Sequence, residues 1–204
     1  MDIDKQRLES MTGFCQRFLS HLGADIPIEA TTDHRKAIDG AQFVLTQIRV
    51  GGNAQRILDE KIPQKYDVIG QETTGPGGMF KALRTIPPIL EIARSVEELN
   101  PRAWMINYAN PTGIVTEAVT RYTNITIAGL CAGGNFPRDH AVEALNVDPE
   151  SVFYDYFGLN HLNFGYNLRV NGAPLTSEEY DKVLETATWG SVQPDLVRML
   201  KLVP

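Results

Sequence analysis

The stretch Ala41-Gln-Phe-Val-Leu-Thr-Gln-Ile-Arg-Val50 decides the fold class of this chain. Its apolar residues fall on both alternating faces, which is typical of a strand in a parallel sheet with helices on each side. Strand-like segments at 103–108 and 125–130 follow, and helical patterns at about 79–99 and 113–121 separate the strands. Alternating strands and helices with short connections predict a doubly wound, Rossmann-like α/β domain.

The segments on either side complete the predicted organisation. On the N-terminal side we predict an amphipathic helix at 5–22, a short strand at 26–30 and a capped helical turn at 32–38. On the C-terminal side we predict antiparallel strands at 151–156 and 162–170 and a helix at 176–189. We therefore expect a partial Rossmann-like domain over residues 1–131, followed over residues 132–204 by the start of an α+β substrate- and metal-binding domain.

Composition narrows the classes of function and partner. With 204 residues, 43% of them hydrophobic, the chain can bury a core as one domain or as parts of two. A net charge of −6 gives no basic surface for nucleic acid, and no apolar run approaches the length of a membrane span. Cys15 and Cys131 do not suggest a disulfide framework. We expect a cytoplasmic protein that binds neither nucleic acid nor membrane.

Cys131 and His161 form the most informative pair of residues. Each follows an apolar, strand-like run, so a thiolate and an imidazole brought together at strand ends would hold a divalent transition metal. The alternative is a buried free cysteine and a hydrogen-bonded core histidine. The two residues alone leave both interpretations open.

Five segments together resemble glycoside hydrolase family 4, and within it the 6-phospho-β-glucosidases. The segments are Phe43-Val-Leu-Thr-Gln-Ile-Arg-Val-Gly-Gly52, Gly70-Gln-Glu-Thr-Thr-Gly-Pro-Gly-Gly78, Asn107-Tyr-Ala-Asn-Pro-Thr-Gly-Ile-Val115, Gly129-Leu-Cys131 and Asp155-Tyr-Phe-Gly-Leu-Asn-His161. The resemblance implies hydrolysis of a 6-phospho-glucoside or phosphorylated disaccharide with NAD and a divalent metal, usually Mn²⁺. NAD would take a hydride from C3, a base would remove the C2 proton, the aglycone would leave C1, and water would add before the hydride returns.

The resemblance also implies roles for individual residues. The implied metal ligands are Cys131 and His161, and the implied substrate-binding residues are Arg56, Asn110 and Asn160. The implied cofactor-side residues are Asp2, Gln47 and Arg49, and Glu72 matches a carboxylate that tunes a catalytic tyrosine.

Several of these positions have a structural alternative. Arg56 could form an ion pair with Asp59 or Glu60 on its own helix, and Asn110 could cap the helix after Pro111. Gln47 and Arg49 could simply anchor their loop.

The cation in the family reaction would stabilise the enolate formed when the C2 proton leaves.

Three features depart from the family pattern. A Gly-x-Gly phosphate loop is not found, and the tyrosine that Glu72 would tune would lie beyond Pro204. We therefore expect an internal fragment or a truncated gene product. Ala132 stands where the family carries Asn or Asp, so we assign no catalytic role to the loop from Ala132 to Asn135.

Two further functions remain open at the level of the sequence. One is a degenerate or truncated family member without turnover, acting at most as a binding module. The other is an NAD-dependent hydroxy-acid dehydrogenase, which would share the sheet topology but typically pairs a His base with an Asp. Phe80, Leu83 and Ile86 on the long helix are candidates for self-association into a homo-oligomer, or for ordinary core.

Overall fold

The computed structural model describes residues 1–159, 162–187 and 194–204 and divides into two compact units, Met1–Leu130 and Cys131–Pro204. The helices and strands of the first unit are α1 (Lys5–His21), α2 (His34–Ile38), β1 (Phe43–Thr46), α3 (Gly52–Gln64), α4 (Gly75–Leu99), β2 (Trp104–Asn107), α5 (Thr112–Tyr122) and β3 (Thr126–Gly129). Those of the second are α6 (Phe136–Leu145), β4 (Val152–Leu159), β5 (Leu162–Val170), β6 (Ala173–Pro174), α7 (Ser177–Thr186) and α8 (Pro194–Leu200).

A parallel sheet in the order β1-β2-β3 forms the centre of the first unit. One face packs on α4 and α5 through a core that includes Ile89, Val96, Met105 and Val115, all fully buried. This parallel, helix-covered arrangement confirms the predicted Rossmann-like α/β fold class. The two crossovers bring the carboxyl ends of all three strands to one edge of the sheet.

The opposite face of this sheet carries large exposed side chains. Phe43 and Trp104 are partners in the register, and both are exposed, as is Leu45 two residues further along β1. Parallel sheets usually bury both faces, so this apolar surface is unusual for the class. The apolar run at 41–50 is therefore buried on one face of the sheet only.

The segment before the sheet corrects one prediction. The helix predicted at 5–22 is confirmed as α1, which begins after Asp4, whose carboxylate accepts a hydrogen bond from the Arg7 amide. The strand predicted at 26–30 is wrong, because these residues form no regular secondary structure. Pro27 removes a backbone donor from the middle of this short run, which weakens it as a strand.

An antiparallel sheet in the order β4-β5-β6 forms the second unit, together with its helices. Its core includes Ala141 of α6, Val152, Leu168 and Val183 of α7. The two predicted antiparallel strands are confirmed. Helix α7 begins with a capping box between Thr176 and Glu179 and ends earlier than predicted. Among the described residues, no helix has the length and hydropathy of a membrane span.

Candidate functional site

The carboxyl edge of the first sheet is organised by a buried asparagine. Asn107, the last residue of β2, is fully buried, and its Oδ1 accepts hydrogen bonds from Thr46 Oγ1 at 3.1 Å and from the Ala109 amide at 3.0 Å. Its Nδ2 donates to the Ala109 carbonyl at 3.1 Å. This network joins β1 to β2 and fixes the turn that leads to Asn110. The signal in the sequence that could have indicated this network is an amide side chain at the end of an apolar strand.

Asn110 lies half-buried at this edge, immediately before a cis Asn110–Pro111 bond. Its Oδ1 accepts a hydrogen bond from Thr112 Oγ1 at 3.0 Å, whereas Nδ2 finds no acceptor in the described part of the chain. The N-cap of α5 is Pro111, so the alternative that Asn110 caps this helix is wrong. Its amide group remains available to a ligand.

Glu72 is the centre of a cluster of charges. Its Oε1 accepts hydrogen bonds from Arg49 Nη1 at 2.5 Å and from Lys81 Nζ, and its Oε2 lies 3.5 Å from Arg56 Nη2. The loop after β1 supplies Arg49, α3 supplies Arg56, and the buried face of α4 supplies Lys81. Three cations therefore surround one carboxylate in a chain that carries a net charge of −6. Such a local excess of positive charge favours an anionic ligand.

Burial and the neighbouring charges act in opposite directions on the pKa values of Glu72 and Lys81. Burial alone would raise the pKa of Glu72, but the hydrogen bonds from Lys81 and Arg49 outweigh it and hold that pKa below its ordinary value. Burial lowers the pKa of Lys81, and its bond to Glu72 offsets only part of that shift. The carboxylate of Glu72 therefore stays ionised at neutral pH.

Arg56 has a second anionic partner. Its Nε donates to Glu60 Oε1 at 2.8 Å, so the helical ion pair considered for this residue is present. Asp59, the other proposed partner, instead receives a two-point contact from Arg84 at 2.6 and 3.1 Å. The side chain of Arg56 remains 43% exposed, and its Nη1 has no acceptor among the described residues. It can therefore contact a ligand while it keeps Glu60.

Glycines allow the loop that carries Glu72 to pack tightly. A Cβ at Gly77 would lie 2.4 Å from the Gln71 carbonyl and 2.7 Å from that of Asp59, and one at Gly70 would collide with the Glu60 carbonyl. These contacts are with backbone atoms, which cannot move aside cheaply. The glycine-rich segment therefore packs its backbone closely against neighbouring backbone, which fixes Glu72 beside α3 and α4.

Asp2 and Gln47, two of the three predicted cofactor-side residues, lie in different segments of the first unit. Asp2 accepts two hydrogen bonds from Arg7, at 2.6 and 2.7 Å, which hold its pKa at about 2. Gln47 is exposed just after β1. The ionised carboxylate of Asp2 fits an acceptor for ribose hydroxyls, although Arg7 already occupies part of it. The assignment of these two residues to a cofactor remains a prediction.

Cys131 opens the second unit with an exposed side chain. It precedes a 3₁₀ turn at Ala132–Asn135, in which the Gly134 carbonyl accepts a hydrogen bond from Tyr154 Oη at 2.5 Å. An accessible thiol fits one ligand position of a metal site. The other predicted ligand, His161, and the predicted substrate residue Asn160 lie outside the described residues. Within residues 1–159, 162–187 and 194–204, no group of three His, Cys, Asp or Glu side chains could hold a metal.

The structure thus brings together Arg49, Arg56 and Glu72, which the sequence analysis assigned to three separate roles. It adds Lys81, which sequence reasoning missed because a lysine on a helix is usually exposed. The sole signal was its place on the same helical face as Gly77 and Gly78. On α4, Phe80 and Leu83 are exposed, whereas Ile86 packs against the core.

The Rossmann-like sheet identifies the chain as an α/β protein, and comparison with known proteins gives its family. A model of family 4 glycosyl hydrolases matches residues 1–145. The chain belongs to this family. It is 41% identical over 215 residues to a probable 6-phospho-beta-glucosidase of Bacillus subtilis, covering 98% of this chain and 47% of that protein.

Two solved structures resemble the chain closely. The 6-phospho-beta glucosidase of Thermotoga maritima, with manganese, NAD⁺ and glucose-6-phosphate, has a TM-score of 0.85 and 32% identity and is matched over 99% of this chain and 49% of its own. A 6-phospho-alpha-glucosidase from gut microorganisms, in complex with NAD and Mn²⁺, has a TM-score of 0.84 and 29% identity, over 100% and 51%. The chain therefore spans about half the length of the relatives it matches.

Proposed function

We propose that this chain is part of an NAD- and divalent-metal-dependent 6-phospho-glucosidase, and that it acts on 6-phospho-β-glucosides. The observation that carries the proposal is the cationic cluster of Arg49, Arg56 and Lys81 around Glu72, in a chain of family 4. A phosphorylated sugar is an anion whose phosphate oxygens accept hydrogen bonds, two at a time, from a planar guanidinium group. The whole-protein activity rests also on the relatives, whose names include phosphoglucosidases of both anomeric types.

Each candidate site residue of the first unit has a defined role in this proposal. Arg56 would contact the phosphate through the donors that Glu60 leaves free, and Asn110 would contact a sugar hydroxyl through Nδ2. Asp2, Gln47 and Arg49 would lie on the side of NAD. Asn160, beyond the described residues, would also bind substrate.

The cofactors would supply the chemistry that side chains lack. When bound, NAD would supply hydride-transfer chemistry at the sugar, and a divalent ion such as Mn²⁺ would supply a Lewis acid. Cys131 would be one ligand of that ion and His161 the other. Three cations contact Glu72. They would weaken the electrostatic effect of its negative charge on a tyrosine base.

The other functions considered differ in their support. Membership of family 4 disfavours a hydroxy-acid dehydrogenase. A member without turnover, acting as a binding module, is compatible with the same cluster and would bind the same ligand. We also propose a cytoplasmic homo-oligomer, with the exposed Phe80 and Leu83 as its contact surface.

Isothermal titration calorimetry with glucose 6-phosphate and with glucose tests this proposal. The wild-type chain should bind the phosphorylated sugar and discriminate against glucose, because the cluster recognises the phosphate. Arg56→Met should weaken binding of glucose 6-phosphate by about 10-fold or more, as expected for a lost charge-assisted contact. Equal affinities for the two sugars, or an unchanged affinity in the variant, would remove the basis of the proposal.

A further inference from the structure

Lys81 is a buried cation to which the family resemblance gives no role and the proposed function assigns no contact with the ligand. Its side chain is 4% exposed, and its one partner among the described residues is Glu72, which is itself 17% exposed. A lysine is almost never buried without a paired charge, because removal of an ammonium group from water is costly. The position of Lys81 therefore demands an ionised Glu72.

The arrangement of donors around Glu72 divides into two sides. Lys81 reaches the carboxylate from the buried face of α4. Arg49 and Arg56 reach it from positions that leave their side chains 36% and 43% exposed. Within the described residues, Arg49 Nε and Nη2 and Arg56 Nη1 have no acceptor. The donors that remain free therefore belong to the two exposed guanidinium groups.

We propose that Lys81 is a positioning residue for the phosphate end of the substrate, because it neutralises Glu72 from within and leaves Arg49 and Arg56 with donors for a phosphomonoester. This inference rests on the proposed function of the same site. Glu72 anchors both arginines, but its negative charge also offsets their attraction for a phosphate dianion. Lys81 cancels that effect and preserves the anchor.

The charges explain why a lysine serves here. At an effective dielectric constant of about 20, a fully uncompensated carboxylate about 7 Å from a phosphate would weaken binding by more than about 10-fold per unit charge, so partial compensation leaves an effect of about 10-fold. Lys81 takes part in this balance without lying on the exposed side of the cluster. The pKa of Lys81 is lowered by its burial, so the bond to Glu72 is what keeps the ammonium form in place.

A double-mutant cycle in the 204-residue chain tests this inference, with glucose 6-phosphate as the titrant in calorimetry. Lys81→Met should weaken binding by about 10-fold, because Glu72 is then balanced only by Arg49 and Arg56 and offsets their attraction for the phosphate. The double variant with Glu72→Gln should return to within about 3-fold of the wild type, since the buried charge and its counter-charge are removed together and the amide Oε1 can still accept the hydrogen bond from Arg49. Lys36→Met is the matched control, because Lys36 is exposed, has no ion pair in the described structure, and changes the net charge equally.

The outcomes separate this inference from the proposed function. Weak binding in both Lys81→Met and the double variant would mean that Lys81 supports the fold or contacts the ligand directly, and the inference would be wrong. An affinity in Lys81→Met equal to that of Lys36→Met would overturn it as well. If the wild-type chain fails to distinguish glucose 6-phosphate from glucose, the proposed function fails first and the role of Lys81 fails with it.

Discussion

The ion pair between Arg84 and Asp59 should contribute more to stability than any exposed pair in the chain. Asp59 is 7% exposed, and Arg84 grips both of its carboxylate oxygens, at 2.6 and 3.1 Å, while Arg84 Nε donates to the Val50 carbonyl. The pair thereby ties α3, α4 and the loop after β1 together. Arg84→Met would leave a buried carboxylate without its cation, which costs about 3 kcal/mol or more.

Urea unfolding followed by circular dichroism measures this loss, and the chain offers a matched control. Arg35 and Glu98 form the same two-point geometry, with both distances 2.8 Å, but their side chains are 44% and 64% exposed. Arg35→Met should therefore cause a far smaller loss, because water screens an exposed pair. Similar losses in the two variants would refute the argument that burial sets the strength of the pair.

Three further predictions concern titration and backbone packing. The pKa of Asp2, about 2 beside Arg7, should rise toward its ordinary value in Arg7→Gln when followed by carboxyl NMR; in the wild type this contact stabilises the fold above pH 4 and is lost as the pH falls through 2. Burial lowers the pKa of His140, so the free energy of unfolding should decrease as the pH falls below 6.5, where the unfolded chain takes up the proton first, and His140→Gln should flatten that slope in urea titrations at several pH values. Gly77→Ala should lower the melting temperature because its Cβ meets two carbonyls, whereas Gly113→Ala, with open space around it, should leave it unchanged or raise it.

Local patterns were sufficient to predict most of the sheet and its helices. The continuous apolar run around β1 and the strand-like segments at β2 and β3 predicted the parallel sheet, and the helical spacing of apolar residues predicted α1. The strand predicted at 26–30 failed because alternation of apolar residues says nothing about a neighbouring strand to bond with. Helix α6 was missed because its apolar positions are sparse and it follows directly on a 3₁₀ turn.

The candidate site was harder to predict because its contacts are distant in sequence. Arg49 and Glu72 are 23 residues apart, and only the folded loop before α4 brings them together. The family resemblance supplied Arg56 and Glu72 as separate entities, with no indication that one carboxylate holds both arginines. Lys81 could not be foreseen, since its burial depends on a carboxylate contributed by another segment.

The most direct test of the central claim is an NMR measurement of the arginine Nε–Hε signals during titration with glucose 6-phosphate. If the cluster around Glu72 binds the phosphate, the signals of Arg49 and Arg56 should shift with a common dissociation constant, and that of Arg35 should not. Glucose at the same concentration should leave all three unchanged. Shifts confined to Arg35, or no shift in Arg49 and Arg56 at saturating ligand, would contradict the account.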